Sequence, residues 1–188
     1  MREASMGVPN AAGWEERPLK EVCELINRGT APVYVEHSEV RAIGQRCVQS
    51  EGFAPAAARF HDPRVRRVLK AQRGDVLLNS TGTGTIGRSC LFDEDGSYMI
   101  DSHVTVLRTR ENQLDPRWLN FLLQSSWGQR HLESHCYTGS TNQVELSRTE
   151  LVNTAVPLPP VAEQRRIAEI LDALDNQIKA GEKLVEKQ

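Results

Sequence analysis

The stretch from Gly74 to Arg88, GDVLLNSTGTGTIGR, carries the spacing G-x-G-x-x-G at Gly82, Gly84 and Gly87, directly after an apolar run. In a dinucleotide-binding unit such glycines follow a strand and open a helix whose N-terminal amides face a pyrophosphate. Here Gly87 is followed by RSCLFDEDGSYMID, which reads as strand and turn without helical periodicity. The lysine of a phosphate-binding P-loop is also missing, because Arg88-Ser89 follows the last glycine. The motif therefore does not predict a nucleotide site. It predicts a loop whose backbone approaches another surface closely, lined by Ser80, Thr81, Thr83 and Thr85 and flanked by Arg88. Such a loop fits tight strand packing and hydrogen bonding to phosphates or base edges equally well.

Other chemistry is sparse. His131 and His135 stand at i and i+4, on one face of a helix, yet two imidazoles do not complete a metal site, and Glu133 is at the wrong offset for H-E-x-x-H. No metal is expected. There is no G-x-S-x-G elbow and no convincing Cys-His pairing, so the chain reads as a binder and not a catalyst. Between Arg59 and Arg73, RFHDPRVRRVLKAQR, six basic residues (Arg59, Arg64, Arg66, Arg67, Lys70 and Arg73) are opposed only by Asp62. On a helix Arg64, Arg67 and Lys70 would share one face, with Val65, Val68 and Leu69 roughly on the other. That segregation suits a DNA-facing segment and an ordinary surface helix alike.

The elements that must position these residues belong to an α+β fold. At 188 residues, 39% apolar and 26% charged, one well-buried domain with an appendage is expected, and no segment approaches the ~20 apolar residues of a membrane span. Without a signal peptide or C-x-x-C, the four cysteines predict reduced, mostly buried thiols and a cytoplasmic location. Residues 1–13 are small and polar and predict a disordered leader. From 14 to 156 the pattern is mixed: a short helix over Lys20 to Asn27, and strands over Pro32 to Val48, Asp75 to Asn79, Ser89 to Phe92 and His103 to Arg108. Asp115-Pro116 supplies an N-cap and a first-turn proline for a helix toward Leu132.

The prolines of 157–161 predict a stiff extended joint, and 162–188 a long helix. In that helix Ile167, Leu171, Leu174, Ile178 and Val185 fall at spacings of four, three, four and seven, a heptad seam. A helix of this length is marginal alone, so the seam predicts a partner.

The segment PLPPVAEQRRIAEILDALD, from Pro157 to Asp175, resembles the joint and helix of type I restriction-modification specificity subunits. Upstream, WEERPLKEV from Trp14, NRGTAP from Asn27, GDVLL with GTIG, and GSTNQ from Gly139 to Gln143 are similar to successive parts of a target recognition domain. The resemblance implies a mixed α/β target recognition domain over 14–156 followed by a conserved coiled-coil helix. It implies a non-catalytic subunit that binds one half of a bipartite double-stranded DNA sequence and presents it to methyltransferase subunits, with restriction subunits as further partners. S-adenosylmethionine, and ATP where cleavage follows, would be used by those partners, and no cofactor is expected in this chain. Family members usually carry two recognition domains and two helical regions, and this chain has one of each. It is thus a fragment or a half-size subunit, and a homodimer through the helix would read an interrupted palindrome.

Within that resemblance Arg64, Arg66, Arg67, Lys70 and Arg73 are phosphate candidates. Thr83, Arg88, Ser140, Thr141, Asn142 and Gln143 are base-edge candidates, since amides and guanidinium groups make bidentate base contacts. The rival reading is a protein-interaction scaffold that works through its heptad helix without reading DNA.

Overall fold

The computed structural model describes residues 13–140 and 143–185. The expected leader, apart from Gly13, and the candidates Thr141 and Asn142 lie outside the described residues. Two apolar cores sit on opposite faces of one antiparallel sheet, ordered Cys23–Arg28, Val104–Thr109, Val76–Asn79, Ser89–Leu91. Successive side chains of a strand point to opposite faces, so a strand covered on both sides must be apolar throughout. Val76-Leu-Leu78 does this: Val76 and Leu78 join Leu107, Leu119, Leu122 and Leu132 on one side. Leu77 joins Ile43, Phe92, Ile100, Val104 and Val106 on the other.

The second core is closed by a smaller sheet in which Val40–Ile43 lies between Arg59–Phe60, antiparallel, and Ser97–Ile100, parallel. The expected strand over Pro32 to Val48 is broken up: Val40–Ile43 is a strand, Gln45–Cys47 is a 3-10 turn, and Val48 begins the short strand Val48–Gln49. The expected helix over Lys20 to Asn27 is also corrected. Only Leu19–Val22 is helical, and Cys23–Arg28 is the edge strand of the main sheet, because its ladder to Val104–Thr109 outweighs local helix propensity.

The basic stretch forms no helix. The backbone around Lys70 runs beside Ser97–Ile100, where Ile100 N–H donates to the Leu69 carbonyl and Ala71 N–H to the Tyr98 carbonyl. Those groups are spent on a strand, so the shared helical face of Arg64, Arg67 and Lys70 does not exist.

The first core is covered by Pro116–Gln124, which starts as expected: Asp115 Oδ1 accepts from the amides of Arg117 at 2.9 Å and Trp118 at 3.3 Å. The helix stops short of Leu132. Ser125 turns extended and caps a second helix, Ser126–His131, which runs into a π-helical turn at Leu132–Cys136. Gly128 permits the turn, since a Cβ there would meet the Leu122 carbonyl oxygen at 2.2 Å.

Glu15–Pro18 pairs antiparallel with Ala155–Leu158, so the proline segment is extended and laddered to the beginning of the described chain. Trp118 Nε1 donates to the Pro157 carbonyl, and Trp14 stands edge-on to Trp118 at 5.7 Å. From this point Val161–Val185 runs as one helix. Its base is fixed by Gln164, which is fully buried: Nε2 donates to the carbonyls of Gln113 and Pro159, and Oε1 accepts from the Asp115 amide. Among the described residues no helix is long and apolar enough to cross a membrane.

Candidate nucleic-acid interface

The glycine loop joins Val76–Asn79 to Ser89–Leu91 as a β-hairpin connection. Asn79 and the chain after it exchange backbone hydrogen bonds across the loop, with Asn79 N–H donating to Arg88 and Gly87 N–H to Asn79. No helix follows Gly87, in keeping with the exclusion of a nucleotide loop. Gly82 and Gly87 have positive φ and closely approached surroundings. A Cβ on Gly82 would lie 2.2 Å from Gln45 Oε1, and one on Gly87 2.2 Å from Tyr137 Oη. The glycines seat the loop between the segment at Gln45 and the hairpin that begins at Tyr137.

That hairpin, Tyr137–Thr138 paired with Glu145–Leu146, carries Gly139, Ser140 and Gln143 between its strands. It is stitched to the glycine loop: Leu146 N–H donates to the Ser80 carbonyl at 2.8 Å, and Thr81 bridges Glu145. Across from it Ser80 N–H donates to the His103 carbonyl, and Thr81 Oγ1 lies 2.8 Å from His103 Nδ1. Arg28 ties the two sides together, with Nη1 on Glu145 Oε2 at 3.0 Å and Nε donating to the Ser102 carbonyl. The result is an open groove of about 860 Å³, with Thr83 and Gln143 among its lining residues together with Gln45, His103 and Tyr137. The floor is rigid. Thr85 Oγ1 donates to Gln45 Oε1, and Asn79 Nδ2 donates to the Gln45 carbonyl.

Two stretches some sixty residues apart in sequence, both singled out as base-edge candidates, thus meet at one groove. Arg88 does not line the groove, and its Nη1 donates to Gln49 Oε1 at 3.1 Å. Ser140 is exposed at the hairpin tip, and its carbonyl accepts from Gln143 N–H. The five basic candidates are elsewhere, for none of Arg64, Arg66, Arg67, Lys70 and Arg73 lines the groove. Arg64 is held by Asp62 at 2.6 Å and keeps that carboxyl down at about 2. Arg73 pairs with Asp93 and with Asp95. Gln45, His103 and Arg28 are not singled out as site residues by the sequence, because their meeting at this groove is set only by the tertiary fold.

His131 and His135 do not converge on a common point. Their rings stack at 4.6 Å in a column with Trp127, and His131 Nε2 lies 3.2 Å from Thr154 Oγ1. Burial, and then His135, lower the His131 pKa. Among the described residues no group of three potential metal ligands comes together.

On the C-terminal helix the expected seam divides. Ile167 packs against the first core and Leu171 is half-buried, whereas Leu174, Ile178 and Val185 are exposed, in line with exposed Ile170.

Comparison with known proteins gives a consistent result. The family model described as "Type I restriction modification DNA specificity domain" matches residues 66–187. Two proteins of Methanocaldococcus jannaschii named as type I restriction enzyme specificity subunits, MjaX and MjaVIII, are 24% and 27% identical over 183 and 185 residues. The matches cover 92% and 90% of this chain and 42% and 41% of those proteins. The chain thus spans about two fifths of the length of the curated relatives it matches. A structure described under complex assembly and conformational transition of the type I R-M system superposes with a TM-score of 0.70 at 23% identity, covering 98% of this chain and 44% of that one. The HsdS subunit from Thermoanaerobacter tengcongensis gives 0.66 at 22% identity, covering 96% and 42%. These likenesses show the fold.

Proposed function

The chain belongs to the type I restriction modification DNA specificity family, and from that membership we propose that it reads one half of a bipartite double-stranded DNA sequence and presents it to methyltransferase subunits. The observation that carries the reading is the groove in which the glycine loop and the Gly139 hairpin tip converge. Thr83, Gln143 and His103 offer hydroxyl, amide and imidazole groups to base edges. Arg66, Arg67 and Lys70, exposed and off the groove, suit phosphates farther along a duplex, since phosphate contacts set register without reading sequence.

In this reading the bond-making belongs to partner subunits, which use S-adenosylmethionine and, where cleavage follows, ATP. The stripe of Ile170, Leu174, Ile178 and Val185, at spacings of four, four and seven, pairs with a second helix as a coiled coil. Two copies of the chain joined through that stripe about a two-fold axis would bring two recognition domains to inverted half-sites. The expected setting is the cytoplasm, where DNA and the methyltransferase meet.

The test is duplex binding as a function of salt. Gln143→Ala and His103→Ala should relax the preference at individual base pairs, while Arg67→Ala should weaken all sequences alike and reduce the salt slope by about 1. Binding that is absent or insensitive to salt, with the methyltransferase subunit still bound, would favour the rival scaffold reading, which the exposed helix stripe supports.

A further inference from the structure

Beside the groove, and sharing Gln45 and His103 with it, lies a smaller recess of about 180 Å³ lined by Tyr34, Gly44, Arg46, Arg59 and Asp101. Four aspartates of the described chain are buried: Asp62, Asp75, Asp101 and Asp115. Three are ion-paired, Asp62 with Arg64, Asp75 with Arg108 and Asp115 with Arg117. Asp101, 4% exposed, has no ion pair among the described residues. Buried carboxylates are rarely left that way, because desolvation disfavours the charge unless something compensates it.

Its hydrogen bonding is lopsided. Oδ1 accepts from Ser102 Oγ at 3.0 Å and His103 N–H at 3.1 Å, whereas Oδ2 has only the Tyr34 hydroxyl at 3.3 Å. The approach to Oδ2 is kept open by Gly44, where a Cβ would sit 3.6 Å from that oxygen. The wall beside it is flat, with the Arg59 guanidinium carbon 3.5 Å from the centre of the Tyr34 ring.

We propose that this recess is a base-reading site in which Asp101 Oδ2 accepts a hydrogen bond from the 4-amino group of a cytosine. The inference rests on the DNA reading above. A carboxylate only accepts, so it is repelled by O6 and N7 of guanine and O4 of thymine, and at adenine it would face N7 beside the amino group. Cytosine alone presents an amino donor with no neighbouring acceptor on its major-groove edge. The volume is below the roughly 300–1,000 Å³ of sites for drug-sized ligands, and suits the edge of a single base.

The experiment is selection from a randomised duplex library by the full chain with a type I methyltransferase subunit, repeated with Gly44→Ala, Gly44→Val and Asp101→Asn. Gly44 has φ −96° and ψ 177°, so an added methyl stands 3.6 Å from Asp101 Oδ2, across the approach to it, without backbone strain, and the glycine variants keep the test valid if Asp101→Asn fails to fold. The wild type should fix a cytosine at one position, and the variants should lose that preference by about tenfold while keeping the rest of the selected sequence. Replacing that cytosine by 2-pyrimidinone, which lacks the amino group, should weaken wild-type binding about tenfold and leave Gly44→Val unaffected. Variants that retain the cytosine preference would overturn the recess and leave the DNA reading standing. A wild type that selects no sequence would overturn both.

Discussion

Asp75, in the motif GDVLL, is 1% exposed and accepts from Arg108 Nε at 2.7 Å, from Arg108 Nη2 at 2.8 Å and from the Gln72 amide. The motif is explained by this pair: the aspartate anchors Arg108 near the end of the inner strand Val104–Thr109, and the apolar residues after it fill both cores. Removing one member of a buried pair leaves the other without compensation, so Asp75→Ala is expected to cost about 3 kcal/mol in chemical denaturation. The cysteines make a second residue-scale prediction. All four are buried and unbridged, and burial pushes the Cys23 and Cys90 thiols up to about 12. Unfolded thiols ionise near about 8.5. Between those values the unfolded chain has released protons that the folded chain keeps, so stability present below about 8.5 is lost as pH rises toward 12. Thermal melts should show Tm falling over that window, with a shallower fall in Cys23→Ala/Cys90→Ala.

At the scale of elements, the helix Val161–Val185 is joined to the domain by Ile167 and buried Ala168, by the Arg117–Asp172 pair and by the buried amide of Gln164. Gln164→Ala removes three hydrogen bonds and strands the Asp115 amide together with two carbonyls, and a loss of about 2–4 kcal/mol is expected by urea denaturation. Hydrogen exchange should rise in the first turns of the helix and at Asp115 in the same variant. The helix and its N-terminal neighbour were legible in sequence, since Asp115-Pro116 and the seam from Ile167 to Val185 are local signals. The groove was legible only in part. Its glycine loop and Gly139 tip could be singled out, but their meeting depends on the Leu146–Ser80 hydrogen bond and on the segment at Gln45, which has no periodicity to read. The basic stretch misleads for the same reason. Its charge pattern is helical, yet its backbone is committed to the strand Ser97–Ile100, a long-range pairing that no local pattern announces.

For the whole molecule, the division of the helix seam matters most. Ile167 belongs to the domain and the stripe beyond it is exposed, and in the proposed dimer that stripe pairs with a second helix. Leu174→Glu/Ile178→Glu should therefore convert a dimer to a monomer in light scattering with the Tm of the domain unchanged, because neither side chain contributes to its cores. A dimer that survives the double change would move the contact elsewhere. The central claim is that this chain supplies a DNA address, and the most direct test is a methylation map of genomic DNA from cells expressing it with a type I methyltransferase subunit, set against cells lacking it. New methylation at an interrupted palindrome is the predicted result. An unchanged map, with the two proteins soluble and associated, would contradict it.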